Sequence, residues 1–166
     1  MIKLAIYSSL LLLSLNTLSR ASFTPGTQPS GVAVTTNGRT STDTAISAAA
    51  LSRLVDGDWD PGTISVSSGC TTFFVETGKS DLWVNFDYGS QQTITTVYIM
   101  ASAFTGETWP GTIVSLYVVS SAGVRQKCID YVDGSGFYHC GYDGQHLQIY
   151  AQVASAKFTL CQVGIY

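Results

Sequence analysis

The sequence has few charged residues and few residues suited to acid–base catalysis. Charged side chains make up 11% of its 166 residues, and His139 and His146 are its two histidines. The formal net charge of -3 excludes the basic surface that nucleic-acid binding requires. The sequence has no Gly-x-Ser-x-Gly motif, no phosphate-binding loop and no dinucleotide fingerprint. We therefore expect a protein that is not an enzyme and does not bind nucleic acid.

Two alternatives, a metal site and a pair of glycosidase carboxylates, would require the fold to bring suitable side chains together. His139, Cys140, Asp143 and His146 lie close together in the sequence and would suit a metal. A disulfide at Cys140 would remove its thiolate from such a site. The acidic residues are scattered without an evident glycosidase pair, although distant carboxylates could still meet in the fold.

The start of the chain has the pattern of a secretory signal peptide. Lys3 precedes an apolar run at residues 10–15, and Ser19 and Ala21 supply the small residues of a cleavage site. The run is too short for a helix that spans a membrane. We expect a signal peptide at residues 1–21, a flexible lead-in at residues 22–30 and one secreted, extracellular domain at residues 31–166. An uncleaved anchor is the alternative, and no transmembrane segment is expected elsewhere.

Four cysteines lie beyond the signal peptide, and an even number in a secreted chain predicts two disulfides. Asp133-Gly134 is a hairpin turn signal between Cys128 and Cys140. A hairpin there would place Cys128 opposite Cys140, which leaves Cys70 to pair with Cys161. The second bridge would join the last strand to an early loop.

The remaining chain consists mainly of short runs rich in Thr, Val, Ile and Tyr, which favour strands. In residues 82–89, alternation places Val84, Phe86 and Tyr88 on one face and Asn85 and Asp87 on the other. Gly and Asp interrupt the runs at regular intervals, which indicates a sandwich or barrel. Further strands are expected at residues 31–36, 93–100, 113–119, 145–152 and 157–166, and one or two helical turns at residues 45–54.

The order of these segments resembles the F-type lectins (fucolectin or tachylectin-4-like) of the galactose-binding-like, discoidin-related superfamily. The segments that carry the resemblance are residues 54–58, the loop that ends in Cys70, the strand at 82–89 and the closing segment at 158–166. The resemblance covers nearly all of residues 31–166. It implies an all-β fold, an antiparallel jelly-roll β-sandwich of about eight strands. It also implies a glycan or glycoprotein partner, and a homo-oligomer would raise the avidity of a weak single site.

The turn at residues 53–58 has the oxygen groups that calcium prefers. The resemblance implies a structural Ca²⁺ that ties this turn to the last strand. Gln162 supplies an oxygen where the family often has Glu, but it removes a charge. An Asp-Gly turn without an ion is the alternative. The residues implied for the metal site are Arg53, Asp56, Asp58, Ser68, Cys161 and Gln162.

The sugar site is where the sequence departs from the family. Fucose-binding members carry a His, two basic residues, an Asp and a vicinal cysteine pair, which bind hydroxyls and stack on the sugar. Here Thr72 or Phe74 stands at the His position, Ala101 and Thr108 at the basic positions, and Ala103 at the Asp position. The ordinary fucose motif is therefore missing.

Aromatic and small polar residues remain at the corresponding loops, where they could stack on a neutral sugar and bond its hydroxyls. We expect a secreted, lectin-like carbohydrate-binding domain that holds a glycan in the loops at one end of the sandwich. The alternatives are a structural or adhesion protein of the extracellular matrix that lost sugar binding, and a lipid-surface binder. The candidate ligand-binding residues are Thr72, Ser102, Phe104, Glu107, Thr108 and Trp109.

Overall fold

Seven strands and one short helix make up the part of the chain that the structure, a computed structural model, describes. This part comprises residues 31–57, 69–101, 114–132, 135–152 and 157–165. A 3-10 turn at Arg53–Val55 directly follows the helix. The elements in chain order are β1 (Ala33–Thr36), α1 (Ala48–Ser52), β2 (Thr71–Phe74), β3 (Leu82–Ala101), β4 (Val114–Val119), β5 (Arg125–Ile129), β6 (Gly136–Ala151) and β7 (Lys157–Ile165).

The strands form an antiparallel β-sandwich because β3 and β6 are long enough to run through both of its layers. Their first pairing segment, residues 82–87 with 146–151, lies between β1 and β4, and β5 follows on the outer side of β4. Their second segment, residues 96–99 with 136–139, lies beside β7, which pairs with β2. We call these the β4 layer and the β7 layer. The predicted jelly-roll-like sandwich class is confirmed.

The core lies between the two layers and follows the alternation of the strands. Val84 and Phe86 are fully buried, whereas Asn85 and Asp87 lie on the outer face, as predicted. Phe73 of β2 is also fully buried and lies 5.5 Å from Phe158 of β7, measured between ring centroids. Phe74, the next residue of β2, is only half-buried because it faces the other side of the strand.

The predicted strand boundaries need one correction. Residues 82–89 and 93–100 form the single strand β3 rather than two strands. The pairing register shifts between Asp87 and Gln92 and again between Ile94 and Thr96. Such irregularities bend a strand without ending it, so β3 passes from one layer to the other.

Both predicted disulfides are present, although the hairpin argument for one of them is wrong. Cys70 is bonded to Cys161, and Cys128 to Cys140. β5, which contains Cys128, pairs with β4, and the described residues include no ladder between β5 and β6. The Cys128–Cys140 disulfide therefore joins strands that are not hydrogen-bonded neighbours. The Asp133-Gly134 turn lies outside the described residues.

No helix in the described ranges is long and apolar enough to cross a membrane. The predicted signal peptide and lead-in, residues 1–30, lie outside those ranges.

Candidate functional site

The predicted metal site contains a direct junction between the last strand and the turn after α1. Gln162 of β7 is buried, with 1% of its surface exposed. Its Nε2 donates a hydrogen bond of 2.7 Å to the Arg53 carbonyl oxygen and a second one to the Asp56 carboxylate. Three of the six residues implied for the metal thus come together. Asp58 and Ser68 lie outside the described residues.

The local sequence explains why the turn reaches β7. The Ser47 hydroxyl caps α1 by accepting a hydrogen bond of 3.2 Å from the Ala50 N–H. The 3-10 turn continues the helix and buries Leu54 completely in the core. Gly57 then adopts a φ of +81°, a backbone conformation that favours glycine, so the chain turns away directly after Asp56.

The residues at this junction fit a calcium ion. Gln162 Oε1 is buried and has no hydrogen-bond partner. A half-turn of the amide would bring this oxygen to the Arg53 carbonyl and the Asp56 carboxylate, and calcium prefers such a set of oxygens. The β3–β7 ladder passes from Ala101–Leu160 to Met100–Gln162 and skips Cys161. Such a bulge leaves a residue outside the regular ladder, where its carbonyl suits the role implied for Cys161.

The described residues beside the predicted sugar loops are held in the sheet. Ala101, at the end of β3, is fully buried, and the Ser135 hydroxyl bonds both its N–H and its carbonyl, at 2.9 and 3.0 Å. Thr72 of β2 shares a hydrogen bond of 2.8 Å with Thr159 of β7. Thr72 is the one candidate ligand residue that the described ranges include. Ser102, Phe104, Glu107, Thr108 and Trp109 lie outside the described residues.

Sequence reasoning missed the role of Ser135. Its hydroxyl closes the end of β3 against the start of β6. The only sequence signal is a small hydroxyl residue between two glycines, Gly134 and Gly136, which is also typical of an ordinary turn.

The histidine and carboxylate groups of β6 have separate neighbours. His139 Nδ1 lies 3.3 Å from the Thr96 hydroxyl, and the Thr93 hydroxyl donates to Asp143 at 2.6 Å. His146 Nδ1 lies 3.6 Å from the Asp87 carboxylate. Within the ranges that the structure describes, no three His, Cys, Asp or Glu residues form a metal-binding group.

Asp87, on the outer face of the β4 layer, is a carboxylate whose pKa is shifted by its neighbours. The Gly89 N–H donates to it at 2.8 Å and the Gln145 amide at 3.0 Å. These hydrogen bonds, with a smaller contribution from His146, hold the pKa of Asp87 below its usual value of 3.8. The group is therefore ionised at neutral pH and is unsuited to act as a general acid.

Comparison with solved structures identifies the class of fold. No protein-family model matches the chain, and no curated protein matches it. The lectin domain of lectinolysin complexed with Lewis B antigen matches with a TM-score of 0.58 and 16% identity, over 82% of this chain and 92% of that chain. A fucose-binding module of Streptococcus pneumoniae matches with a TM-score of 0.57 and 16% identity, over 80% and 91%.

The same fold occurs as one part of larger enzymes. A family 89 glycoside hydrolase from Clostridium perfringens matches with a TM-score of 0.54 and 15% identity, but the match covers 85% of this chain and 14% of the hydrolase. These identities establish the fold alone. The chain has the galactose-binding-like β-sandwich fold that carbohydrate-binding modules and fucose-binding lectin domains share.

Proposed function

We propose that the protein is a secreted, non-catalytic carbohydrate-binding domain whose ligand lies in the loops at one end of the sandwich. The observation that carries the proposal is the fold in common with modules described as binding Lewis B antigen or fucose. The fucose motif is absent, so a neutral sugar would stack on aromatic rings and bond to small polar groups. The residues proposed for this site are Thr72, Ser102, Phe104, Glu107, Thr108 and Trp109.

One observation favours a second candidate, a structural or adhesion protein that kept the fold and lost sugar binding. Ala101 stands where relatives place a basic ligand-binding residue. It has no polar side chain, and its two backbone groups bond to Ser135. The position therefore contributes to the sheet rather than to a ligand.

A glycan array separates the two candidates. The secreted protein is applied with and without calcium, beside the variants Phe104→Ala and Trp109→Ala. Val124→Ala is the matched control, because Val124 is exposed in the turn between β4 and β5. Binding that both loop variants lose and the control retains supports the lectin function. Absence of binding to every sugar, with and without calcium, supports the adhesion candidate.

Secretion is part of the proposal and has its own test. Expression of the full chain in a secreting host should release a protein that begins at Ser22. Mass spectrometry of the medium measures this terminus. A product that keeps residues 1–21 and stays with the membrane would support the uncleaved anchor instead.

We also propose a structural calcium ion between the turn and β7. The Arg53 carbonyl, the Asp56 carboxylate and the rotated Gln162 amide would hold it, together with the Cys161 carbonyl and groups of Asp58 and Ser68. The ion would supply positive charge where three oxygens meet and would fix the turn to the last strand. The buried, unpaired Gln162 Oε1 supports this assignment.

Thermal unfolding in chelator and in a calcium series tests the ion. Binding to the folded state alone raises the melting temperature as the concentration increases. Asp56→Ala should abolish this rise, whereas Asp130→Ala should retain it, because Asp130 directly follows β5 and its side chain is 84% exposed. A calcium-dependent rise that survives in Asp56→Ala would refute the assignment.

A further inference from the structure

The outer face of the β4 layer carries a row of aromatic rings that no loop site uses. The register places Trp83 of β3 directly opposite Tyr150 of β6. The Tyr150 ring packs edge-to-face against Tyr117 of β4, with 6.2 Å between the centroids. All three side chains are half-buried. We call Trp83, Tyr117 and Tyr150 the aromatic row, and it crosses three adjacent strands, or about 10 Å.

Two cations from β5 lie against this row. The Arg125 guanidinium is 5.5 Å from the Tyr150 ring centroid and 5.9 Å from that of Tyr117. Lys127 Nζ is 5.6 Å from the Tyr117 centroid and also pairs with Asp130 at 2.7 Å. Arg125 is exposed, so its guanidinium can leave the rings to bond an anion with its planar set of donors.

A buried amide lies between the strands of the row. Gln148 pairs with Asn85 on one side and Tyr117 on the other, and it faces outward because its neighbours Leu147 and Ile149 fill the core. Only 8% of Gln148 is exposed, and its Oε1 has no hydrogen-bond partner. A buried acceptor without a partner is unfavourable for the free protein, and a side-chain movement that uncovers it would let a ligand hydroxyl satisfy it.

We propose that this face is a second glycan-binding surface, separate from the loops, and that its ligand is an anionic saccharide chain. Sugar C–H groups would lie along the aromatic row, and a hydroxyl would donate to Gln148 Oε1. A carboxylate or sulfate would draw the Arg125 guanidinium from the rings and accept its hydrogen bonds. The rings select a sugar, and the cation selects one that carries negative charge.

The two ends of this face differ in charge, and the difference sets the direction in which an anionic saccharide would lie. Arg125 and Lys127 lie on the β5 side, whereas Asp87 lies on the β3 side beside His146. The middle of the face carries the neutral amides of Asn85 and Gln148. The anionic group of the ligand therefore belongs at β5, and its uncharged part extends toward β3.

Isothermal titration of the mature protein tests the surface with three probes: an oligogalacturonate, a sulfated oligosaccharide and a neutral galactose oligomer of the same length. We expect one or both anionic probes to bind at least about tenfold more tightly than the neutral one, and their affinity to fall as salt rises. Equal affinity for all three probes, or no binding, would overturn the proposal. Self-association through this face would also overturn it, and sedimentation measures that.

Two variants connect the binding to the named residues. Arg125→Gln should weaken the anionic probe about tenfold, while Lys79→Gln, which removes an exposed charge between β2 and β3, should not. Gln148→Met should also weaken binding, yet leave the melting temperature equal or higher, because it removes an unpaired buried oxygen. A Gln148→Met protein that unfolds more easily and binds normally would contradict the role of the amide.

The loop variant Trp109→Ala distinguishes this surface from the proposed loop site. It should lose binding to any neutral sugar found on the array and keep the anionic probe. Loss of the anionic probe in Trp109→Ala, with Arg125→Gln unaffected, would place all binding at the loops and remove the second surface.

Discussion

The Gln162 amide of the last strand donates a hydrogen bond of 2.7 Å to the Arg53 carbonyl, 109 residues earlier in the chain. The same amide nitrogen donates to the Asp56 carboxylate. A glutamate at this position would have no hydrogen to donate and would face these oxygens with another negative charge. With its nitrogen toward these oxygens, the Gln162 amide holds the turn without an ion. With its oxygen rotated toward them, the same amide would suit a calcium ion.

Gln162→Glu should convert this junction into one that requires calcium. In chelator, the second carboxylate loses both hydrogen bonds and repels Asp56, which should lower the free energy of unfolding by about 1–3 kcal/mol. Calcium should restore stability and raise the melting temperature more than in the parent, because ligand charge increases affinity. Thermal unfolding with and without calcium measures both effects.

The control for this substitution is Gln148→Glu, which adds a carboxylate at a buried glutamine of β6. It should destabilise the protein without creating a calcium response. If calcium raised the melting temperature of Gln162→Glu and of the parent by the same amount, the proposed role of Gln162 would be contradicted.

The two disulfides should differ in their contribution to stability. Cys70 and Cys161 are separated by 91 residues, and Cys128 and Cys140 by 12. In the chain-entropy model the longer loop contributes about 4–5 kcal/mol and the shorter about 3 kcal/mol. Replacing Cys70 and Cys161 together by alanine should therefore cost more than replacing the other pair. Denaturant unfolding measures both losses, and a larger loss for the short loop would contradict the model.

The sequence predicted the layers well because alternation records which face of a strand is buried. Val84, Phe86, Asn85 and Asp87 all lie as their period of two indicates. The sequence did not predict that β3 continues through residues 89–92. Gly89 and the polar residues after it have the composition of a turn, so the sequence indicates that the strand ends there. A shift in pairing register, which allows the strand to continue, leaves no recognisable pattern in the local sequence.

Partner strands were harder to predict than strands. Asp133-Gly134 is a local turn signal, but it does not reveal that β4 outcompetes β6 as the neighbour of β5. The pairing of Cys128 with Cys140 was correct for a different geometric reason. Likewise, the resemblance located Arg53, Asp56 and Gln162, but an amide nitrogen facing both oxygens depends on tertiary contacts that composition does not encode.

Gly144 of β6 should be required for the packing of the β4 layer. A Cβ at this position would collide with the Val118 side chain and lie 2.9 Å from the Val119 carbonyl oxygen. Gly144→Ala should therefore lower the free energy of unfolding by about 1–3 kcal/mol, the cost of overpacking. The matched control is Gly136→Ala on the same strand, where a Cβ would meet only Tyr138 at an ordinary 3.6 Å. Denaturant unfolding should separate the two variants, and equal stability would contradict the steric argument.

Asp87 should make the stability of the β4 layer depend on pH in the acid range. Hydrogen bonds from Gly89 and Gln145, together with His146, lower its pKa in the folded protein. The unfolded state therefore binds the proton more tightly, and the stabilisation is present above the ordinary pKa and is lost as the pH falls through the folded value. Asp87→Asn should thus melt below the parent at about pH 6, and the difference should shrink toward about pH 2. A difference that stays constant across this range would show that Asp87 acts through packing rather than through its charge.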